Sequence, residues 1–163
     1  MKRVSAAVAG AAMLLSACNQ NTAPGNDREA QLDPVLTPAP AASAADALAG
    51  IATSAIQPVP LTSADLAGLG GLGGKCAFRF TAVSFPAFVY DAARGTIKLN
   101  GTLITLPATS EGRFAEAGLQ VLVRPIETDF DSGGRRKAEM IVQLPDAPDE
   151  LGFRGYEVCA QQL

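Results

Sequence analysis

The 163-residue chain carries 13 Lys and Arg against 16 Asp and Glu, a net charge of −3, and it has no histidine and no tryptophan. Without histidine there is no Ser-His-Asp or Cys-His catalytic arrangement and no ordinary zinc site, so the sequence assigns no catalytic residue, no metal ligand and no cofactor. The acidic balance also argues against nucleic acid as a partner, because phosphate binding requires surplus positive charge.

Met1-Lys2-Arg3 forms a short basic end, and an uncharged run from Val4 to Ala17 follows it. This is the layout of a secretory signal. The run is shorter than the roughly 20 apolar residues that a membrane-spanning helix requires. It ends in Leu15-Ser16-Ala17-Cys18, which resembles the lipobox of bacterial lipoproteins. The resemblance implies diacylglycerol on the Cys18 sulfur, cleavage before that residue and acylation of the new amino group. Small residues let an extended backbone enter a narrow peptidase site, and cysteine supplies the nucleophilic sulfur. Two or three acyl chains then anchor the protein firmly, each buried methylene contributing about 0.8 kcal/mol. The residue after the cysteine is Asn19 rather than aspartate. That resembles the pattern directed to the outer membrane, with the domain facing the periplasm. Loss of residues 1–17 leaves eleven basic and sixteen acidic residues, a net charge of −5.

Residues 18–60 read as the lipidated cysteine and a flexible tether, since positions 19–60 hold six prolines, much alanine and few large apolar side chains. Such a composition buries too little surface to offset chain ordering. Within it Ser43 to Ile56 has marginal helical spacing, with Leu48, Ile51, Ala52 and Ala55 on one face. Residues 61–74 read as a short helix and a glycine-rich connector. Thr62 is placed to cap the helix with Asp65 three residues on, and Leu61 and Leu66 form a hydrophobic staple around the cap. Gly68 to Gly74 formally contains a G-x-G-x-x-G. A helix precedes it and a strand follows, the reverse of the dinucleotide-binding context.

Residues 75–163 read as an all-β domain. Cys76, Phe78, Phe80 and Ala82 alternate with Ala77, Arg79, Thr81 and Val83, the period of a half-buried strand. Ala87 to Tyr90 resume the pattern after Pro86. Asn100-Gly101, set between Thr96–Leu99 and Thr102–Thr105, predicts a two-residue hairpin because both turn positions accept positive φ. That turn sets Leu99 opposite Thr102 and Ile97 opposite Ile104, and it turns Ile97, Leu99 and Ile104 inward. Residues 107–118 read as a loop with a helical turn near Arg113 to Ala117. Strands follow at Leu119–Val123, Ala138–Leu144 and Gly152–Cys159. About seven short strands with frequent turn signals predict a small antiparallel sandwich or barrel.

Beyond Cys18 only Cys76 and Cys159 remain. In an oxidising envelope they form a natural pair. The bond closes a loop of about 84 residues, for which the chain-entropy argument gives about 4–5 kcal/mol. It sets the first and last strands side by side, and so favours closure over an open sheet. The run Glu127 to Gly134 lacks the ligand spacing of a calcium loop. Arg135-Arg136-Lys137 follows three acids and reads as a solvated hairpin tip. The unusual segment is Gly152-Phe153-Arg154-Gly155-Tyr156, whose glycines imply a bulge or close backbone approach. Arg154 and Tyr156 share one face, and Arg79 on a neighbouring strand joins them in a candidate binding patch. The β-domain resembles small envelope lipoproteins with a comparable Gly-Phe-Arg-Gly-Tyr strand. The expectation is a membrane-anchored, non-enzymatic interaction or structural module that contacts an envelope protein or the cell wall. The alternative is a small-ligand, glycan-binding or enzyme-inhibitory barrel.

Overall fold

A computed structural model describes residues 36–160. The export signal expected over residues 1–17, the expected lipidation site Cys18 and the expected tether as far as residue 35 lie outside the described residues. Nine strands form one antiparallel sheet with a single parallel addition. They are β1 (Ala41–Ala42), β2 (Cys76–Arg79), β3 (Phe88–Tyr90), β4 (Arg94–Leu99), β5 (Thr102–Ser110), β6 (Arg113–Glu116), β7 (Leu119–Pro125), β8 (Arg135–Gln143) and β9 (Leu151–Cys159). Strands β2 to β9 close into an eight-stranded barrel. First and last strands pair through Cys76 opposite Cys159, and β5 pairs with β6. The Cys76–Cys159 disulfide is formed.

Closure depends on the length of β5. Its first half takes β1 as a parallel neighbour at Leu103 and Ile104, while its second half bends through a register shift and pairs with β6 from Ala108 to Ser110. Against β5 packs α1 (Ala44–Leu48), whose Ala44 is fully buried in the barrel core. The Ala44 N–H donates to Glu116 Oε2 at 3.1 Å. Residues 36–60 are therefore not a free tether. Ile56 and Ala44 enter the core, Val59 N–H donates to Lys98 O, and Leu61 N–H donates to Pro86 O. Alanine and proline suit this task, because small side chains let an extended strap lie close on a sheet. The predicted helical face of Leu48, Ile51 and Ala55 does not form. A 3-10 turn at Thr53–Ala55 breaks it, and Ile51 is exposed.

An eight-stranded barrel is just wide enough to be filled by side chains, and this one is filled. Phe78, Phe88, Phe114, Ile97, Ile104, Leu106, Leu119, Val121 and Met140 are essentially inaccessible to solvent. Phe88 stacks on Tyr90 and meets Phe114 edge-on. A second apolar layer lies outside the barrel, where α2 (Ser63–Gly68) covers Ala77, Val89 and Leu103 with Leu61, Leu66 and Leu69. Thr62 and Asp65 form the full capping box. The Asn100-Gly101 hairpin has the predicted register, with Leu99 opposite Thr102 and Ile97 opposite Ile104. The expected loop at 107–118 is instead the end of β5, the Gly112 turn and β6, whose Phe114 faces the core.

Candidate functional site

The strap and α2 cover the outer side of β2 to β5, and among the described residues no such layer lies over the outer side of β6 to β9. Alternate residues face outward there, and the registers stack them in rows. Arg124 stands opposite Glu139, which stands opposite Arg154. In the next row Lys137, Tyr156 and Arg79 are consecutive cross-strand neighbours. The three residues singled out in the sequence are thus brought together, with Arg154 two positions from Tyr156 on the same face. On the other side of Arg154 lies a row of Arg113, Leu122, Ile141 and Gly152. A Cβ at Gly152 would meet nothing within 4 Å, so the glycine leaves an open notch beside Arg154.

The members of this face differ in what they do. Arg124 donates through Nε and Nη2 to Glu139 Oε2 at 2.8 and 2.5 Å. Lys137 Nζ lies 2.7 Å from Glu127 Oε1, and Arg135 pairs with Asp131 at 3.1 Å. Through this pairing Glu127 raises the affinity of Lys137 for a proton, and Lys137 lowers that of Glu127. Arg113 donates to Gln120 Oε1 at 3.1 Å. Arg154 is exposed, and among the described residues it makes no ion pair and no side-chain hydrogen bond. Arg79 is tied down instead. Its Nη1 donates to Ser84 O at 2.7 Å, which holds the β2–β3 loop, and its Nε is buried without a partner. The free groups of the patch are therefore Arg154 and the half-exposed Tyr156.

The basic run Arg135-Arg136-Lys137 is not a uniformly solvated tip. Arg136 alternates with its neighbours and turns inward at the barrel mouth, where Nε donates to Glu157 Oε2 at 2.6 Å. Its guanidinium sits 4.6 Å over the Phe130 ring, which a cation–π contact favours. Glu157 is buried, and its Oε1 also accepts from the Tyr90 hydroxyl. Burial and the adjacent Glu157 carboxylate push the Tyr90 phenol well above its ordinary value. Cys159 Sγ lies 3.8 Å from Glu157 Oε1, so the disulfide lines the same pocket. Nothing local in the sequence announced this cluster. Glu157 reads as an ordinary polar residue in Gly155-Tyr156-Glu157-Val158. Only its period-two match with Phe153 and Cys159 marks it as inward-facing.

A cavity of about 380 Å³ opens on the covered side, between α2 and the barrel wall. Lys75, Asp91, Arg94, Thr96 and Thr105 line it over Val89 and Leu69. Lys75 Nζ is already held by Leu69 O and Gly71 O at 2.6 and 3.1 Å.

A family model described as Domain of unknown function (DUF6692) matches residues 14–162. The chain belongs to this family. No curated protein and no solved structure matches it. Among the described residues the barrel interior is filled by buried side chains, and Arg154 and Tyr156 stand on its outer face.

Proposed function

We propose that this protein is an exported lipoprotein, anchored through lipid on Cys18, whose barrel is a non-enzymatic module that docks an anionic cell-wall polymer on its bare face. The lipobox-like Leu15-Ser16-Ala17-Cys18 supports the anchor, and the absence of histidine in the whole chain supports a non-catalytic role. The observation that carries the docking is a segregation of charge. The outer side of β6 to β9 and β2 gathers Arg79, Arg113, Arg124, Arg135, Lys137 and Arg154 in a chain whose net charge is −3. Three of these have carboxylate partners. The surplus is therefore cationic, and Leu122, Ile141 and Gly152 supply a flat apolar floor beside Arg154. Guanidinium groups beside such a floor suit a partner that alternates carboxylates with ring faces.

Sedimentation of the purified chain with isolated cell-wall material tests the docking. Retention that falls with added salt, and falls again in Arg154→Glu, is expected. Equal retention of the charge-reversed chain would remove the proposal. The anchor is tested separately by fatty-acid labelling of cells, where Cys18→Ser is expected to abolish both label and membrane association. The cavity beside α2 favours a second reading, a barrel that holds a small polar ligand between Lys75, Asp91 and Arg94. Loss of a ligand-induced stability gain in Arg94→Ala, with cell-wall retention unchanged, would select that reading.

A further inference from the structure

We infer that reduction of the Cys76–Cys159 bond opens a three-ligand site for a thiophilic divalent cation of the zinc or cadmium type, made of two thiolates and the Glu157 carboxylate. The barrel brings these groups together without a sequence motif. Cys76 and Cys159 are direct cross-strand partners, and Glu157 precedes Cys159 by two residues and faces the same interior. One sulfur from each cysteine and a Glu157 oxygen all lie within 4.8 Å of one another. Zinc accepts such a set, with three protein ligands and a fourth position left to water.

Three features favour a divalent ion at this place. Two thiolates and a carboxylate carry three negative charges. A dication leaves one, and Arg136, 2.6 Å from Glu157 Oε2, balances it. A monovalent ion would leave the half-buried site negative, which is costly. Tyr90 and Arg136 already hold the two carboxylate oxygens, so the ligand is oriented before metal arrives. Both cysteines are half-buried at the barrel mouth, which leaves a path for the ion. The two states exclude each other. A dithiol reductant gives two electrons and two protons to the disulfide, yielding two cysteine thiols and its own disulfide. The cation then displaces the two thiol protons to solvent and forms two metal–sulfur bonds.

The test uses the full chain with Cys18→Ser, so that the only thiols are the barrel pair. The oxidised chain and the phosphine-reduced chain are each titrated with cadmium, while circular dichroism follows the fold. One cadmium per reduced chain, a sulfur-to-cadmium absorption band and no binding by the oxidised chain are expected. Cys159→Ser is expected to abolish the band, and Glu157→Gln to weaken affinity at least about tenfold. If Glu157→Gln fails to fold, Glu157→Asp must show the weakening. Three results would each overturn the inference: no binding on reduction, undiminished affinity in the carboxylate variants, or equal binding by the urea-unfolded reduced chain.

Discussion

Lys98 Nζ lies 2.8 Å from Asp65 Oδ2, a carboxylate with no solvent exposure beneath the strap. Asp65 also accepts from the backbone N–H of Ala39 and of Thr62, each at 2.7 Å. One side chain thus joins the strap, the start of α2 and the barrel wall. Burial pushes its carboxyl up. The donors from Ala39, Lys98 and Thr62 outweigh burial and hold it well below the ordinary value of 3.8. A carboxyl depressed in the folded state stabilises the protein above the unfolded value, and that contribution is lost as the pH falls below about 4. Asp65→Ala leaves Lys98 and two amides without their acceptor and is expected to cost about 3–5 kcal/mol. Urea unfolding at neutral and acid pH checks both statements. An acid limb of undiminished steepness in Asp65→Asn would show that another carboxyl is responsible.

Tyr90 supplies the opposite end of the pH profile. Its phenol is raised above the ordinary value of 10.0 by burial and by Glu157. A group raised in the folded state stabilises fully below its unfolded value, so stability is expected to fall as the pH climbs above about 10. Tyr90→Phe removes one donor from a buried carboxylate and is expected to cost about 1–3 kcal/mol at neutral pH. The same variant should flatten the alkaline limb. Thermal melts of both proteins between neutral and strongly alkaline pH check this, and parallel curves would exclude Tyr90 as the titrating group.

The barrel was largely legible because period-two alternation and turn chemistry are local. The Asn100-Gly101 hairpin, the Thr62–Asp65 cap and the inward sides of Leu119–Val123 and Ala138–Leu144 all form as read. The patch of Arg79, Arg154 and Tyr156 was legible for the same reason, since two residues on one strand and one on its neighbour follow from the pleat. Two strands escaped the reading. In β6, Arg-Phe-Ala-Glu offers one large apolar residue, too short a run to show a period. In β1 two alanines pair only because β5 outruns its other neighbour. The strap escaped because small side chains and prolines look alike in a free tether and in a segment pressed against a sheet. The Tyr90, Arg136 and Glu157 cluster is set by the register between distant strands, which a local pattern does not encode.

Gly155 is the tightest position in the Gly-Phe-Arg-Gly-Tyr strand. A Cβ there would fall on the Arg79 carbonyl oxygen and lie 2.8 Å from the Phe78 ring. Both obstacles are fixed, one by the β2–β9 ladder and the other by the core. Gly155→Ala must therefore move backbone, and a cost at or above the usual 1–3 kcal/mol of overpacking is expected. Gly152→Ala, whose new methyl would enter open space, is the control and should stay within about 0.5 kcal/mol of wild type. Equal denaturation midpoints for the two variants would refute the packing argument.

Arg79 and Arg154 carry the same charge on the same face, yet they should separate on mutation. Arg79→Ala removes the 2.7 Å bond to Ser84 O, so the β2–β3 loop loses its tie. A neutral acceptor held by a guanidinium is worth about 1.5–3 kcal/mol, and a loss of that order is expected, with faster proteolysis within residues 81–85. Arg154→Ala breaks no ion pair or side-chain bond among the described residues, so its stability should stay within about 0.5 kcal/mol. If the bare face docks an anionic polymer, the ranking in retention is reversed. Arg154→Ala weakens it, and Arg154→Glu weakens it further by setting a new carboxylate beside Glu139. The effect should shrink as salt shortens the range of the field, since exposed charges farther apart than the Debye length of about 8 Å are screened at physiological ionic strength. Measuring unfolding midpoint and retention on the same samples separates the two roles. A stable Arg154→Glu chain that is retained like wild type at low salt would leave the cationic face without a docking role, whatever Arg79→Ala does to the loop.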